Sequence, residues 1–195
     1  QFFRHTISDL GAVYAYRYEG LEPIQIGVNT HARWAFSIGF CVLALIAIRL
    51  AVIYFKYPDL YADRIKGICM ILLTIGGILV AVRWDSFLAR LHTIGTFLFV
   101  ASFGYYNFVC QRLRYVRKDE NLDGVSFWKK LDHVGDFLIM GTVFLILLWY
   151  LSSGLLGIFN IEKVGWLRYF ATGLAQKCLL ISCILAAFAL DLDDM

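Results

Sequence analysis

Apolar residues along this chain fall in long blocks separated by short polar links, rather than in patterns of period 2 or 3.6. Blocks of about twenty apolar residues predict helices that cross a bilayer, because a hydrocarbon core of about 30 Å takes that many at about 1.5 Å per residue. Five spans are read this way: Trp34–Phe55, Ile65–Val82, Leu91–Leu113, His133–Phe159 and Trp166–Leu190. Membrane β-strands would instead alternate apolar and polar over about ten residues, and no segment here does so over that length. The link Arg83–Arg90 (RWDSFLAR) between the second and third spans is short, which implies antiparallel neighbours. The expected fold is therefore all-α, a polytopic transmembrane helix bundle over 34–190, with a loop region at 1–33 and an acidic tail at 191–195.

Composition agrees with the pattern. Of 195 residues 60% are hydrophobic and 17% charged, and mean hydropathy is +0.68; soluble domains run nearer to about 45–50% and 25%. Charge adds an orientation. The links after the first and third spans share one side and carry Lys56, Arg64, Lys66, Arg112, Arg114, Arg117, Lys118, Lys129 and Lys130. The other side carries Arg4, Arg17, Arg33, Arg83, Arg90, Lys163 and Arg168, spread over a greater length. The positive-inside rule makes the first side cytosolic, and residues 1–33 external or lumenal. An external amino-terminal segment with no signal-peptide pattern, opening on Gln1, leads to the expectation of one further span upstream, six in all. The expected location is the plasma membrane or an endomembrane such as Golgi or lysosome. All five cysteines, Cys41, Cys69, Cys110, Cys178 and Cys183, fall within spans, so a disulfide framework is not expected. Cys110, beside Arg112 near the cytosolic end, is a position where palmitoylation is conceivable.

Polar groups inside spans are functional candidates, since an ammonium at mid-membrane costs about 2.5–3.5 kcal/mol or more. Lys177, in GLAQKCLLIS, is the first of these; either it meets a carboxylate, carbonyl, water or lipid head group, or it snorkels to an interface. Arg49 lies about two turns from the cytosolic end of the first span. Asp132 and Asp136 share one face at the start of the fourth, so an Arg49–Asp136 structural ion pair is expected at matching depth. His92 and His133 begin spans on opposite sides and cannot share a haem iron. No HExxH, GxSxG, CxxC or phosphate-binding glycine loop occurs. No catalytic residue, metal site or cofactor is implied. The basic cluster of Arg112, Arg114, Arg117, Lys118, Lys129 and Lys130 sits on a short link with no domain to bind nucleic acid; anionic lipid head groups fit it better, at about 1 kcal/mol per basic residue near the surface.

In the third span His92, Thr96, Tyr106, Asn107 and Gln111 recur near helical spacing, with Gly95 and Gly104 admitting a close neighbour. Such a stripe hydrogen-bonds across helices or lines a lipid-sized cleft. HTIGTFLFVASFGYYNFVCQRL also resembles the fourth helix of the Frag/DRAM/Sfk family of six-span membrane proteins. His92, Gly95 and Tyr106 fit the spacing, while Gly104 and Gln111 fall one position late. Ile7-Ser8-Asp9-Leu10-Gly11 is similar to that family's I-S-D/E-x-G signature in the external loop after its first helix, with Ser8, Asp9 and Gly11 as the marker; a plain turn is the other account of these residues. Glu22-Pro23, Gly27 and Asn29 are similar to the stretch that follows. GLAQKCLLISCILAAFALDLDD resembles the final helix, with Gln176-Lys177 where the family has Glu-Trp, so a role resting on that acid does not carry over.

The resemblance implies a mostly non-enzymatic protein of membrane lipid handling or trafficking. Members of the family are linked to GPI-anchored protein remodelling or transport, phosphoinositide kinase assembly and lysosomal autophagy control. The expectation is lipid or partner-protein binding through the third-span stripe, Lys177 and the basic link. The alternative is an accessory structural subunit of a larger membrane assembly, such as a channel or respiratory complex.

Overall fold

Apolar blocks of this length have no interior large enough to hide in, so the helices they form must leave one face turned outward. In the computed structural model, which describes residues 14–19, 22–28, 30–57, 61–81, 89–119, 127–158 and 172–190, that is the arrangement. The helices are α1 (Thr30–Lys56), α2 (Tyr61–Val80), α3 (Ala89–Asp119), α4 (Phe127–Ile158) and α5 (Thr172–Ala187). Stretches within three of them, Arg33–Lys56, Leu91–Val116 and Lys130–Leu156, are long and apolar enough to cross a membrane. The helix α2 starts four residues before the expected span, taking Asp63 and Arg64 into its first turn. In α5 the described helix is 16 residues, about 24 Å of rise, and tightens into turns through Leu190.

Ahead of the bundle lies a β-hairpin inside the region read from sequence as loop. Strands β1 (Tyr14–Glu19) and β2 (Glu22–Val28) pair antiparallel from Tyr14↔Val28 to Glu19↔Glu22, with an irregularity between Ala15 and Tyr16. Tyr14, Tyr16 and Tyr18 alternate with smaller or charged residues, as do Ile24, Ile26 and Val28, and period-2 alternation of aromatic and β-branched residues favours a strand.

The helices pack in sequence order, α1 on α2, α2 on α3, α3 on α4 and α4 on α5, and α5 returns to touch α3. This makes α3 the hub. Small residues set the close contacts. Ala44, Ala47 and Ala51 form the buried face of α1, against which Thr74 of α2 donates to Ala44 O at 3.3 Å. A methyl on Gly76 would lie 2.5 Å from Phe99 N, and one on Gly95 would overlap Leu79, so α2 and α3 meet backbone to backbone. Gly104 opens α3 to Leu147 of α4 and Leu179 of α5. Between bilayer-spanning helices, packing of this kind rather than hydrophobic exclusion supplies the attraction.

The distribution of polarity is inverted relative to a water-soluble bundle. Lys66, His92, Asn107, Gln111, His133, Asp136, Gln176 and Lys177 are buried, whereas Leu45, Leu145 and Leu185 are 65–69% exposed. An exterior so rich in large aliphatic side chains suits hydrocarbon.

Candidate functional site

The stripe on α3 faces inward. His92, Asn107 and Gln111 are at most 3% exposed. Asn107 Nδ2 donates to Cys183 O at 3.1 Å and Gln111 Nε2 donates to Ala186 O at 2.7 Å. Ala186 is in the last turn of α5, and its carbonyl accepts both from Ala189 N at 3.0 Å and from the Gln111 amide, which ties that end of α5 to α3. Thr96 Oγ1 donates to His92 O at 3.0 Å, within α3, and its own carbonyl accepts from Tyr150 of α4 at 3.3 Å. The Tyr106 and Tyr54 hydroxyls share a hydrogen bond of 2.8 Å between α3 and α1. These groups serve helix–helix contacts. The cleft reading of the stripe does not hold for Asn107 and Gln111, because their side chains are enclosed and their amides donate to α5.

Lys177 is 8% exposed on α5, so the outward-facing side chain that snorkelling requires is not present. Its neighbour Gln176 lines, with Thr96, Phe36, Phe40, Val80 and Phe99 among others, a cavity of about 20 Å³ among α1, α2, α3 and α5. That is room for about one water molecule. Cys110 is fully buried, which closes it to acylation unless α3 moves.

Asp136 does not pair with Arg49. Its Oδ1 accepts from Arg114 Nε at 3.1 Å, because α4 packs along α3 and α5 while α1 packs along α2. At the depth of Asp136 the neighbouring helix is α3, not α1. Arg49 points outward and is exposed. Asp132, four residues and about one turn before Asp136, is exposed, and His133 is buried with its ring stacked on Tyr115 at 4.2 Å. Tyr115 stands 23 residues beyond His92 on α3, about 35 Å of helical rise, so the two histidines lie at opposite ends. Among the described residues no group of three or more His, Cys, Asp or Glu is placed to hold a metal.

Chain direction brings the C-termini of α1, α3 and α5 and the N-termini of α2 and α4 to one end. The basic residues of the two links gather there. Arg112 and Lys130 are exposed, Arg114 is engaged by Asp136, Arg117 and Lys118 stand near the end of α3, and Lys129 on the first turn of α4. Lys66, which sequence reading treated only as a link charge, is buried, 3.6 Å from Asp63 and 5.6 Å from the centre of the Tyr54 ring. Ser8, Asp9 and Gly11 lie outside the described residues.

One feature escaped the sequence reading. Between α4 and α5 runs an outward-opening groove of about 340 Å³, lined by Leu138, Ile139, Thr142, Val143, Ser182, Leu185 and Ala186. Its hydroxyls come from Thr142 and Ser182, and Ser182 Oγ is turned back to Leu179 O at 2.9 Å. Leu138 lies eight residues along α4 from Lys130, about 12 Å, so the groove sits below the basic end. No family model, curated protein or solved structure matches this chain, and the site rests on its own residues and geometry.

Proposed function

We propose that this chain is a multi-pass membrane protein that works by binding a membrane phospholipid, its acyl chain in the α4–α5 groove and its head group toward Arg112 and Lys130. The groove carries the reading: it is apolar, holds about 340 Å³ and opens onto a hydrocarbon-facing surface below a basic end. By the positive-inside rule that end is cytosolic. The resemblance of the α3 pattern and of Ile7–Gly11 to the Frag/DRAM/Sfk family supports the same reading, as a protein of lipid handling or trafficking in the plasma membrane or an endomembrane. Non-enzymatic action fits a groove lined by aliphatic side chains and two hydroxyls.

Native mass spectrometry of the detergent-purified protein tests the proposal. Wild type is expected to retain phospholipid. Thr142→Trp, which fills the groove, is expected to lower retention at least about fivefold, and Arg112→Ala with Lys130→Ala to erase a preference for anionic over zwitterionic head groups. No retained lipid, or equal retention by Thr142→Trp, overturns it. A second reading, an accessory subunit of a larger membrane assembly, draws support from the outer face of α1, where a cation stands among aliphatic side chains; co-purification at fixed stoichiometry tests that.

A further inference from the structure

The outer face of α1 is apolar from end to end except at one place. Ile38, Val42, Leu45, Val52 and Ile53 are each at least 46% exposed, and Arg49 stands among them, also exposed. It lies opposite the Ala44–Ala47–Ala51 face that packs on α2, two residues from Ala47 and from Ala51 and hence about 200° round the helix from each. Among the described residues Arg49 has no hydrogen bond or ion pair. It is 16 residues after Arg33 and seven before Lys56, so its Cα sits about 10 Å inside the nearer end of the spanning stretch.

A guanidinium at that depth needs an anion. A lipid phosphate at the nearer boundary is the simplest candidate, but helix geometry works against it. Cα–Cβ bonds tilt toward a helix's N-terminus, and a side chain covers the turn before its own Cα. In α1 that direction leads from Arg49 toward Leu45, deeper into the apolar stretch and away from the Lys56 end. The anion is better supplied at Arg49's own depth, by another helix. A second copy of this chain joined α1 to α1 would not supply it, since α1 contains no Asp or Glu and would bring Arg49 against Arg49. Of the acids described at the bundle's basic end, Asp63 pairs with Lys66 and Asp136 with Arg114, and exposed Asp132 is two residues inside the α4 spanning stretch, shallower than Arg49 by about 7 Å.

We propose that the outer face of α1 is a docking surface for a transmembrane helix of a different protein, whose Asp or Glu pairs with Arg49 within the membrane. The pairing fixes both the depth and the rotation of the partner helix against the Val42–Leu45–Arg49–Val52 ridge. The proposal rests on α1 spanning the bilayer, so resistance of the reconstituted protein to alkaline extraction is scored first and separately.

The experiment uses the full chain in vesicles, donor-labelled on exposed Cys41, with acceptor-labelled poly-leucine transmembrane peptides. One peptide carries a single Asp about seven residues from its basic cytosolic end, one carries Asn there, and one carries Leu only. Energy transfer is expected to report association of the Asp peptide at least about tenfold tighter than the Leu peptide. Arg49→Leu is expected to remove the difference, and Arg49→Glu to transfer the preference to a peptide with Lys in that position. Equal association of Asp and Leu peptides, or persistence of the preference in Arg49→Leu, overturns the proposal. Loss of bound anionic phospholipid in Arg49→Leu, with no peptide preference in wild type, overturns it in favour of a lipid contact. An extractable wild-type protein would remove the membrane reading itself.

Discussion

Replacing Gly76 by alanine tests the packing that holds the hub of the bundle. The added methyl would sit 2.5 Å from Phe99 N, 2.8 Å from Phe99 Cα and 2.9 Å from Gly95 O. All three atoms belong to the backbone of α3, so no side chain can swing aside. Carbon contacts are comfortable at about 3.5–4.0 Å, which requires α2 and α3 to separate by about 1 Å. Overpacking of this kind costs about 1–3 kcal/mol, and separation also weakens contacts along the rest of the pair. Against this stands a gain of about 0.5–1 kcal/mol for alanine over glycine within a helix. Gly141 supplies the internal control, since a methyl there meets nothing within 4 Å and only the gain applies. The gain is common to both variants, so the expected gap between Gly76→Ala and Gly141→Ala is the overpacking cost, about 1–3 kcal/mol, or about fivefold to over a hundredfold in an unfolding constant. Titration of the purified protein from mild detergent into SDS, followed by circular dichroism or tryptophan emission, measures it. Gly141→Ala should unfold later than wild type and Gly76→Ala earlier. Equal midpoints for the two variants would refute the close backbone approach of α2 and α3.

Two further substitutions probe α3. Gln111→Leu removes the donor to Ala186 O while keeping bulk, and is expected to cost about 0.6–1.7 kcal/mol, with faster hydrogen exchange confined to the last turn of α5. Arg114→Leu strands the Asp136 carboxylate, whose side chain is 4% exposed, and is expected to cost about 3–5 kcal/mol; the double variant Arg114→Leu/Asp136→Leu should recover most of that, because removal of both charges leaves nothing buried without a counterpart. A double variant no more stable than Arg114→Leu would show that the pair is not coupled.

The long helices were legible because bilayer thickness sets a wide margin. Apolar stretches of 24, 26 and 27 residues in α1, α3 and α4 exceed the requirement however their ends are drawn. The burial of Lys66 was not legible, since it reads as an interfacial charge until Asp63 and the Tyr54 ring are seen beside it. The hairpin escaped because six or seven alternating residues carry little weight beside a helix of 27. Of the site, the inward turn of Asn107 and Gln111 followed from the price of amides in hydrocarbon. Asp136 was assigned the wrong arginine because sequence gives a residue's depth along a helix but not which helix stands beside it. The groove was invisible for the same reason: Thr142 and Ser182 are 40 residues apart, and nothing in either helix alone marks them as neighbours.

The hydrogen bonds that the α3 amides donate to α5 join residues 76 and 75 positions apart, which has a consequence for biosynthesis. At about 5–20 residues per second, a ribosome needs about 4–15 s after making Asn107 and Gln111 to deliver Cys183 and Ala186. For that interval the acceptors of the two amides do not yet exist, and each amide must donate to another group, such as water or a carbonyl of α3 itself. The α3–α5 contact cannot form before α5 is made, and a chain that ends ahead of Cys183 lacks both acceptors.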